Sequence, residues 1–116
     1  MREIKKKNQR VAELIKTLSK KKERIWKDVA SRLLKSRRNQ SIVNIATINR
    51  HANNGDIILV PGKVLGYGEL NKKITVGALS FSKEAKRKIM NMKGVCLKIE
   101  ELLEKNPKGS KIRIFG

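Results

Sequence analysis

The sequence predicts an α/β domain preceded by a basic helical arm. Three observations carry this. Apolar residues recur at helical spacing through residues 11–34. From Ser41 onward, short β-branched runs alternate with short helical stretches, as in α/β chains whose helices pack on a sheet. Aliphatic residues dominate an apolar fraction of 39%, while aromatics reach only 3%, so the core must rest on Ile, Leu and Val.

The elements follow in order. Residues 1–7 read as a basic tail expected to fray. Asn8 then caps a helix whose apolar positions are Val11, Leu14, Ile15 and Leu18. Lys20, Lys21 and Lys22 interrupt that stripe as a connector. A second helix carries Ile25, Trp26, Val29, Ala30, Leu33 and Leu34. Residues 42–45 read as a short strand and 47–52 as a short helix, stopped by the turn Asn53-Asn54-Gly55. Residues 56–60 form an apolar run short enough for a buried strand, and VPGKVLGYGEL, residues 60–70, reads as a glycine-rich loop. A β-branched run at 74–79 follows. Ser82 caps a helix containing Ala85, Ile89 and Met92, and Gly94 ends it. A strand at 95–99, a brief helix at 101–105, a turn at Asn106-Pro107-Lys108-Gly109 and an alternating, edge-like strand at 111–115 close the chain. At 116 residues the whole is expected to be one compact domain, with a basic N-terminal helical extension over 1–40 and a small α/β core over 41–116.

Charge narrows the function. Twenty-nine Lys and Arg against ten Asp and Glu leave a net +19. Residues 1–38 hold fifteen basic and four acidic side chains, and the remainder fourteen and six, so folded elements as well as the arm carry the field. Self-repulsion of this size destabilises a compact state unless a polyanion neutralises it. Nucleic acid fits, because Lys and Arg release its condensed counterions. An anionic membrane would call for a helix with a bulky apolar face and interfacial Trp, and no helix here has that form. Cys96 stands alone, which fits a reducing compartment, cytosolic or nuclear. No metal-ligand spacing occurs, so no metal or cofactor is expected.

The glycine-rich loop fails both nucleotide fingerprints. A phosphate-binding P-loop needs Ser or Thr after Gly62-Lys63 and a glycine at position 57, where the chain has Val64 and Ile57. A dinucleotide loop needs a third glycine where Asn71 stands, with a helix opening there. The glycines then serve backbone geometry, with Lys63, Lys72 and Lys73 near enough to meet a phosphate backbone. His51 reads as a surface residue ending a short helix, and Cys96 as a partly buried, inert thiol. No catalytic constellation remains, so no enzyme and no small-molecule substrate are expected.

The basic clusters are Lys5-Lys6-Lys7, Lys20-Lys21-Lys22, Arg37-Arg38, Lys72-Lys73 and Lys86-Arg87-Lys88. Any one of them alone would be a solvated face. Five in so short a chain point to a polyanion. Arg37-Arg38 followed by Asn39 and Gln40 is the sharpest, since guanidinium groups grip phosphate bidentately and amides reach sugars or base edges. Scarce aromatics argue against a single-strand stacking sheet and favour recognition of folded RNA or duplex DNA by charge and shape. An architectural, nucleoid-type DNA-binding protein would have the same composition.

Certain stretches carry a more specific resemblance. They are Trp26-Lys-Asp-Val-Ala30, LLKSRRNQSIVNIATI at 33–48, VPGKVLGYGEL at 60–70, and NPKGS at 106–110. In that order and spacing the chain resembles the L-eighteen-e family of archaeal and eukaryotic large-subunit ribosomal proteins, related to the bacterial L-fifteen family, over nearly its whole length. Ser36, Gln40 and Thr47 depart from the family pattern. The resemblance implies an irregular β-β-α superhelix with an N-terminal helical extension. It also implies a structural, non-enzymatic role in the cytoplasmic ribosome, with large-subunit ribosomal RNA and neighbouring ribosomal proteins as partners. The RNA contacts it implies are Arg37, Arg38, Asn39, Gln40, Asn44, Lys63, Lys72 and Lys73, joined by the N-terminal lysines Lys5, Lys6, Lys7, Lys20, Lys21, Lys22 and Lys35.

Overall fold

The computed structural model describes residues 2–35 and 41–116. The chain divides into two compact units, Met1–Asn39 and Gln40–Gly116.

The first unit holds two helices, α1 (Arg2–Ser19) and α2 (Arg24–Lys35). Helix α1 begins at Arg2, so residues 2–7 are helical rather than a frayed tail, and Asn8 lies inside the helix instead of capping it. The lysines there are compatible with helix because their straight side chains lose little rotamer freedom in it. Lys20 to Lys22 form the connector expected from the sequence. The amides of Lys20 and Lys21 close the last turn of α1 on the carbonyls of Thr17 and Leu18 at 3.3 and 3.1 Å. Leu14 and Leu18 of α1, and Trp26, Val29, Ala30 and Leu33 of α2, are buried along one stripe of each helix.

The second unit runs β1 (Ser41–Asn44), α3 (Ile45–His51), β2 (Ile57–Leu65), β3 (Thr75–Phe81), α4 (Lys83–Asn91), β4 (Val95–Lys98), α5 (Ile99–Lys105) and β5 (Ile112–Ile114). The strands pair in the order β1-β2-β3-β4, with β5 also on β2, and each of these pairings is parallel. Strand β3 occupies one edge of β2. The other edge is shared, with β5 beside Ile57–Leu59 and β1 beside Gly62–Leu65. The result is a mixed α/β protein with a parallel sheet and a helical N-terminal part.

Strand β2 is longer than its sequence suggests. It continues through Pro61-Gly62-Lys63 to Leu65, where the glycine-rich run reads as a loop. Against β3 the register steps from Val60↔Ala78 to Lys63↔Ser80, so β2 carries one extra residue there. That bulge accommodates Pro61, whose missing N–H cannot join a ladder. Gly62 is needed for the approach of β1, because a Cβ on it would lie 1.9 Å from the Ser41 carbonyl oxygen.

Ile58, Val60, Val64, Val76 and Ala78 pack on one sheet face with Ile45 and Ile48 of α3, Ala52 just after it, and Ala85 and Ile89 of α4. On the opposite face, Gly77 lies directly beneath Leu102 of α5. The buried residues include no polar or charged side chain among those described, so the excess charge is borne at the surface.

The caps follow local rules. Ser82 Oγ accepts from the Ala85 amide at 3.1 Å. Helix α5 starts two residues earlier than expected, at Ile99, because Glu101 reaches back to accept from the Lys98 amide at 2.9 Å. At the end of α4, the amides of Lys93 and Gly94 donate to Met90 and Ile89. These are the two bonds of a Schellman motif, and Lys93, not Gly94, takes its left-handed position at φ 61°. Asn106 holds the NPKGS turn through both ends of its amide, which bond the Ser110 carbonyl and amide at 2.9 and 3.2 Å.

Arg113 ties β5 to the end of α3. Its Nη1 donates to the His51 carbonyl at 3.0 Å and to the Asp56 carboxylate at 2.7 Å. Its guanidinium carbon lies 5.3 Å from the Phe115 ring centre. The Asn53 amide also donates to Asp56, at 2.8 Å, and this bond, assisted by Arg113, holds the carboxyl below its ordinary value.

Two outcomes follow for stability. Lys93→Gly removes the side chain from a left-handed position and should raise stability by about 0.5–1 kcal/mol, after allowing for the entropy glycine loses on folding. A urea midpoint that does not rise at constant slope counts against this account. The depressed Asp56 carboxyl adds stability above its unfolded value near ~3.9, and that contribution disappears as pH falls through the lower folded value. Wild type should therefore exceed Asp56→Asn in stability at neutral pH, with the gap closing in acid. A gap constant down to strongly acidic pH would show that ionisation is irrelevant.

Candidate nucleic-acid interface

With ten acidic side chains for twenty-nine basic ones, one-to-one pairing leaves nineteen cations over. Several arginines do pair: Arg32 with Asp28 at 3.4 Å, Arg87 with Glu84 at 3.0 Å, and Arg113 with Asp56 at 2.7 Å. The first two are exposed, close-range helix pairs of the kind worth about 0.3–0.5 kcal/mol. They leave the surrounding field strongly positive.

The expected RNA-facing residues fall into four groups. Lys5, Lys6 and Lys7 lie in the first turns of α1 by backbone position. Lys20 and Lys22 are exposed and Lys21 half-buried in the connector, and Lys35 is exposed at the end of α2. Arg37, Arg38, Asn39 and Gln40 lie outside the described residues. In the second unit, Asn44 immediately precedes α3 in extended conformation, makes no side-chain cap bond, and is half-buried. It lines an open groove of about 440 Å³ with Ile42, Thr47, His51, Arg113 and Phe115. Lys63 is exposed on β2, paired in register with Ile42 and Ser80.

Lys72 and Lys73 are adjacent in sequence and differ in role. Lys73 is exposed, and its amide donates to the Asn54 side chain at 2.8 Å. Lys72 turns inward. Its ammonium donates to the Asn49 carbonyl and, at 2.5 Å, to the Ala52 carbonyl, which places a cation on the free carbonyls at the end of α3.

Lys88 repeats the arrangement. Its ammonium donates to the carbonyls of Gly66 and Gly68 at 2.6 and 2.5 Å and so fixes the second half of VPGKVLGYGEL. Hydrogen bonds to charged groups contribute about 1.5–3 kcal/mol each, against about 0–1 for an exposed ion pair. Both lysines therefore hold backbone in preference to exchanging surface partners. Sequence alone shows Lys88 as one third of a basic cluster. Its partners lie 20 and 22 residues away, so no local pattern reveals the bond. The Arg113 junction is hidden in the same way, since its partners are 57 and 62 residues distant.

Gly62 and Lys63 are strand residues, not a phosphate cradle. Burial raises the Cys96 thiol above its ordinary value, which keeps it protonated and unreactive at neutral pH. Among the described residues no helix is long and apolar enough to cross a membrane.

Comparison with known proteins agrees with the motif order. The large ribosomal subunit protein eL18 of Methanospirillum hungatei is 53% identical over 114 residues, covering 95% of this chain and 94% of that protein. The proteins of the same name from Methanosphaerula palustris and Methanococcus maripaludis are 50% and 48% identical over 116 and 120 residues. They are covered over 96% and 100% of their lengths. The family model described as ribosomal protein 60S L18 and 50S L18e matches residues 3–115, and the chain belongs to that family.

Proposed function

We propose that this protein is a structural constituent of the large ribosomal subunit in the cytoplasm, where it binds and stabilises folded ribosomal RNA beside neighbouring ribosomal proteins. The observation that carries the reading is family membership across residues 3–115 together with a net +19 charge, with no charged side chain buried among the described residues. It favours RNA over duplex DNA and requires no cofactor and no catalytic residue.

In this reading residues 1–40 act as a basic helical extension and 41–116 as a small core that fixes loop geometry. Lys5, Lys6, Lys7, Lys20, Lys21, Lys22 and Lys35 supply cations from the arm. Arg37 and Arg38 grip phosphate, with Asn39 and Gln40 beside them on sugars or base edges. Asn44, Lys63 and Lys73 contribute from the core. Lys72 acts one step back by holding the end of α3, which positions Lys73 and the residues around it.

Tagged protein should co-sediment with large subunits through a moderately high-salt wash, and recovery in the chromosomal fraction would overturn the proposal. Changing Arg37 and Arg38 to Ala should weaken binding to large-subunit ribosomal RNA. Every phosphate left without its arginine should lower the slope of log K against log salt by about 0.7–0.9. An unchanged slope would place both side chains away from phosphate.

A further inference from the structure

We infer that Tyr67 is a pre-organised stacking residue that receives one unpaired nucleobase of the bound RNA; the inference rests on the RNA-binding function proposed above. The chain has four Trp, Tyr and Phe residues. Trp26 is buried, Phe81 and Phe115 are half-buried, and Tyr67 is 76% exposed. The exposed ring stands on backbone that is held from three directions.

Gly66 lies against the first turn of α4, where a Cβ on it would sit 2.5 Å from the Glu84 Cβ and 2.9 Å from the Ala85 nitrogen. Gly68 has φ +101° and lies against Ala46 of α3, whose Cβ would be 2.4 Å from an added Cβ. The Tyr67 carbonyl accepts from the Ala46 amide at 2.9 Å. Lys88 bonds the carbonyls on both sides, at Gly66 and Gly68. The glycine-tyrosine-glycine segment therefore cannot shift without breaking a hydrogen bond or creating a clash, yet its ring points into solvent.

A rigid, exposed aromatic side chain has met much of its ordering cost during folding, which favours binding. The surroundings select the ligand. Lys83, Lys86 and Arg87 are exposed on α4, the helix against which Gly66 packs, together with Glu84, which pairs with Arg87, while Glu69 is exposed two residues after Tyr67. Basic side chains on that neighbouring helix suit a base whose phosphates lie nearby, and unstacked bases dock on isolated aromatic rings in this way. A protein partner would call for an apolar patch around the ring, whereas the exposed residues beside this segment and on the first turn of α4, Glu69, Lys83 and Glu84, are charged. One ring takes one base, which is compatible with a chain too poor in aromatics to form a stacking sheet.

The test is equilibrium binding of the full-length protein to purified large-subunit ribosomal RNA across a salt series, with Tyr67→Phe, Tyr67→Leu and Tyr67→Ala. Melting midpoints should match wild type because the side chain is exposed. Leu and Ala variants should bind about five- to 150-fold more weakly, the range of one base–aromatic stack. The Phe variant should remain within about twofold, by the same stacking argument. The weakening should be uniform across salt, since stacking removes no counterion, which separates it from the slope change expected of Arg37 and Arg38. Ultraviolet cross-linking should join the Tyr67 peptide to RNA. Full affinity in Tyr67→Ala, with wild type still binding RNA, overturns this inference and leaves the proposed function standing. Full affinity in Tyr67→Leu, or a cross-link from assembled subunits to a protein instead of RNA, overturns stacking in favour of an apolar contact. Failure of wild type to bind the RNA overturns both readings.

Discussion

The second unit depends on β2. This one strand bonds β3 along one edge and both β5 and β1 along the other. Three neighbours fit only because β2 is nine residues long and bulges at Pro61-Gly62. The bulge absorbs a proline that a regular central strand would reject. Gly62 allows the Ser41 carbonyl into the space a side chain would fill. The first half of VPGKVLGYGEL is therefore sheet construction, and the second half is a fixed loop that turns Tyr67 outward.

The charge does two kinds of work in this fold. Most cations lie on the surface, where they create a field suited to phosphate. Lys72 and Lys88 instead close the free carbonyls of a helix end and a loop. Each draws together segments some twenty residues apart, a cross-link that a small aliphatic core gains without burying a charge completely. In a chain this basic, net charge alone does not separate lysines that bind a partner from lysines that hold the protein together.

Local signals were legible where the chemistry is local. The Ser82 cap, the Asn53-Asn54-Gly55 turn, the Lys20–Lys22 connector and the apolar stripes of α1 and α2, apart from Leu34, which is exposed, all rest on neighbours within a few residues. Among the boundaries that moved, those of α5 and α1 did so for local reasons of lesser weight. Glu101 started α5 earlier by capping Lys98, and residues 2–7 joined α1 because a lysine run tolerates helix. The extension of β2 through Pro61 was not legible, because proline and glycine ordinarily signal a loop and the pairing that overrides them comes from β1 and β3. Of the candidate RNA-facing residues, Lys63 and Lys73 are exposed, while the Lys72 ammonium bonds carbonyls of Asn49 and Ala52 that sequence does not place.

By itself the sequence determined the aliphatic core, the α/β alternation, the positive field, the absence of a nucleotide fingerprint in the glycine-rich run, and a family resemblance set by motif order. These depend on composition and short-range spacing, which a linear chain displays directly. Only the tertiary structure decided which lysines bond backbone carbonyls, that Arg113 joins β5 to α3, and that the lone tyrosine stands exposed on backbone held by hydrogen bonds. Those outcomes depend on hydrogen bonds and close approaches between residues 20 to 62 positions apart. Such partners become neighbours only when the parallel sheet brings them together.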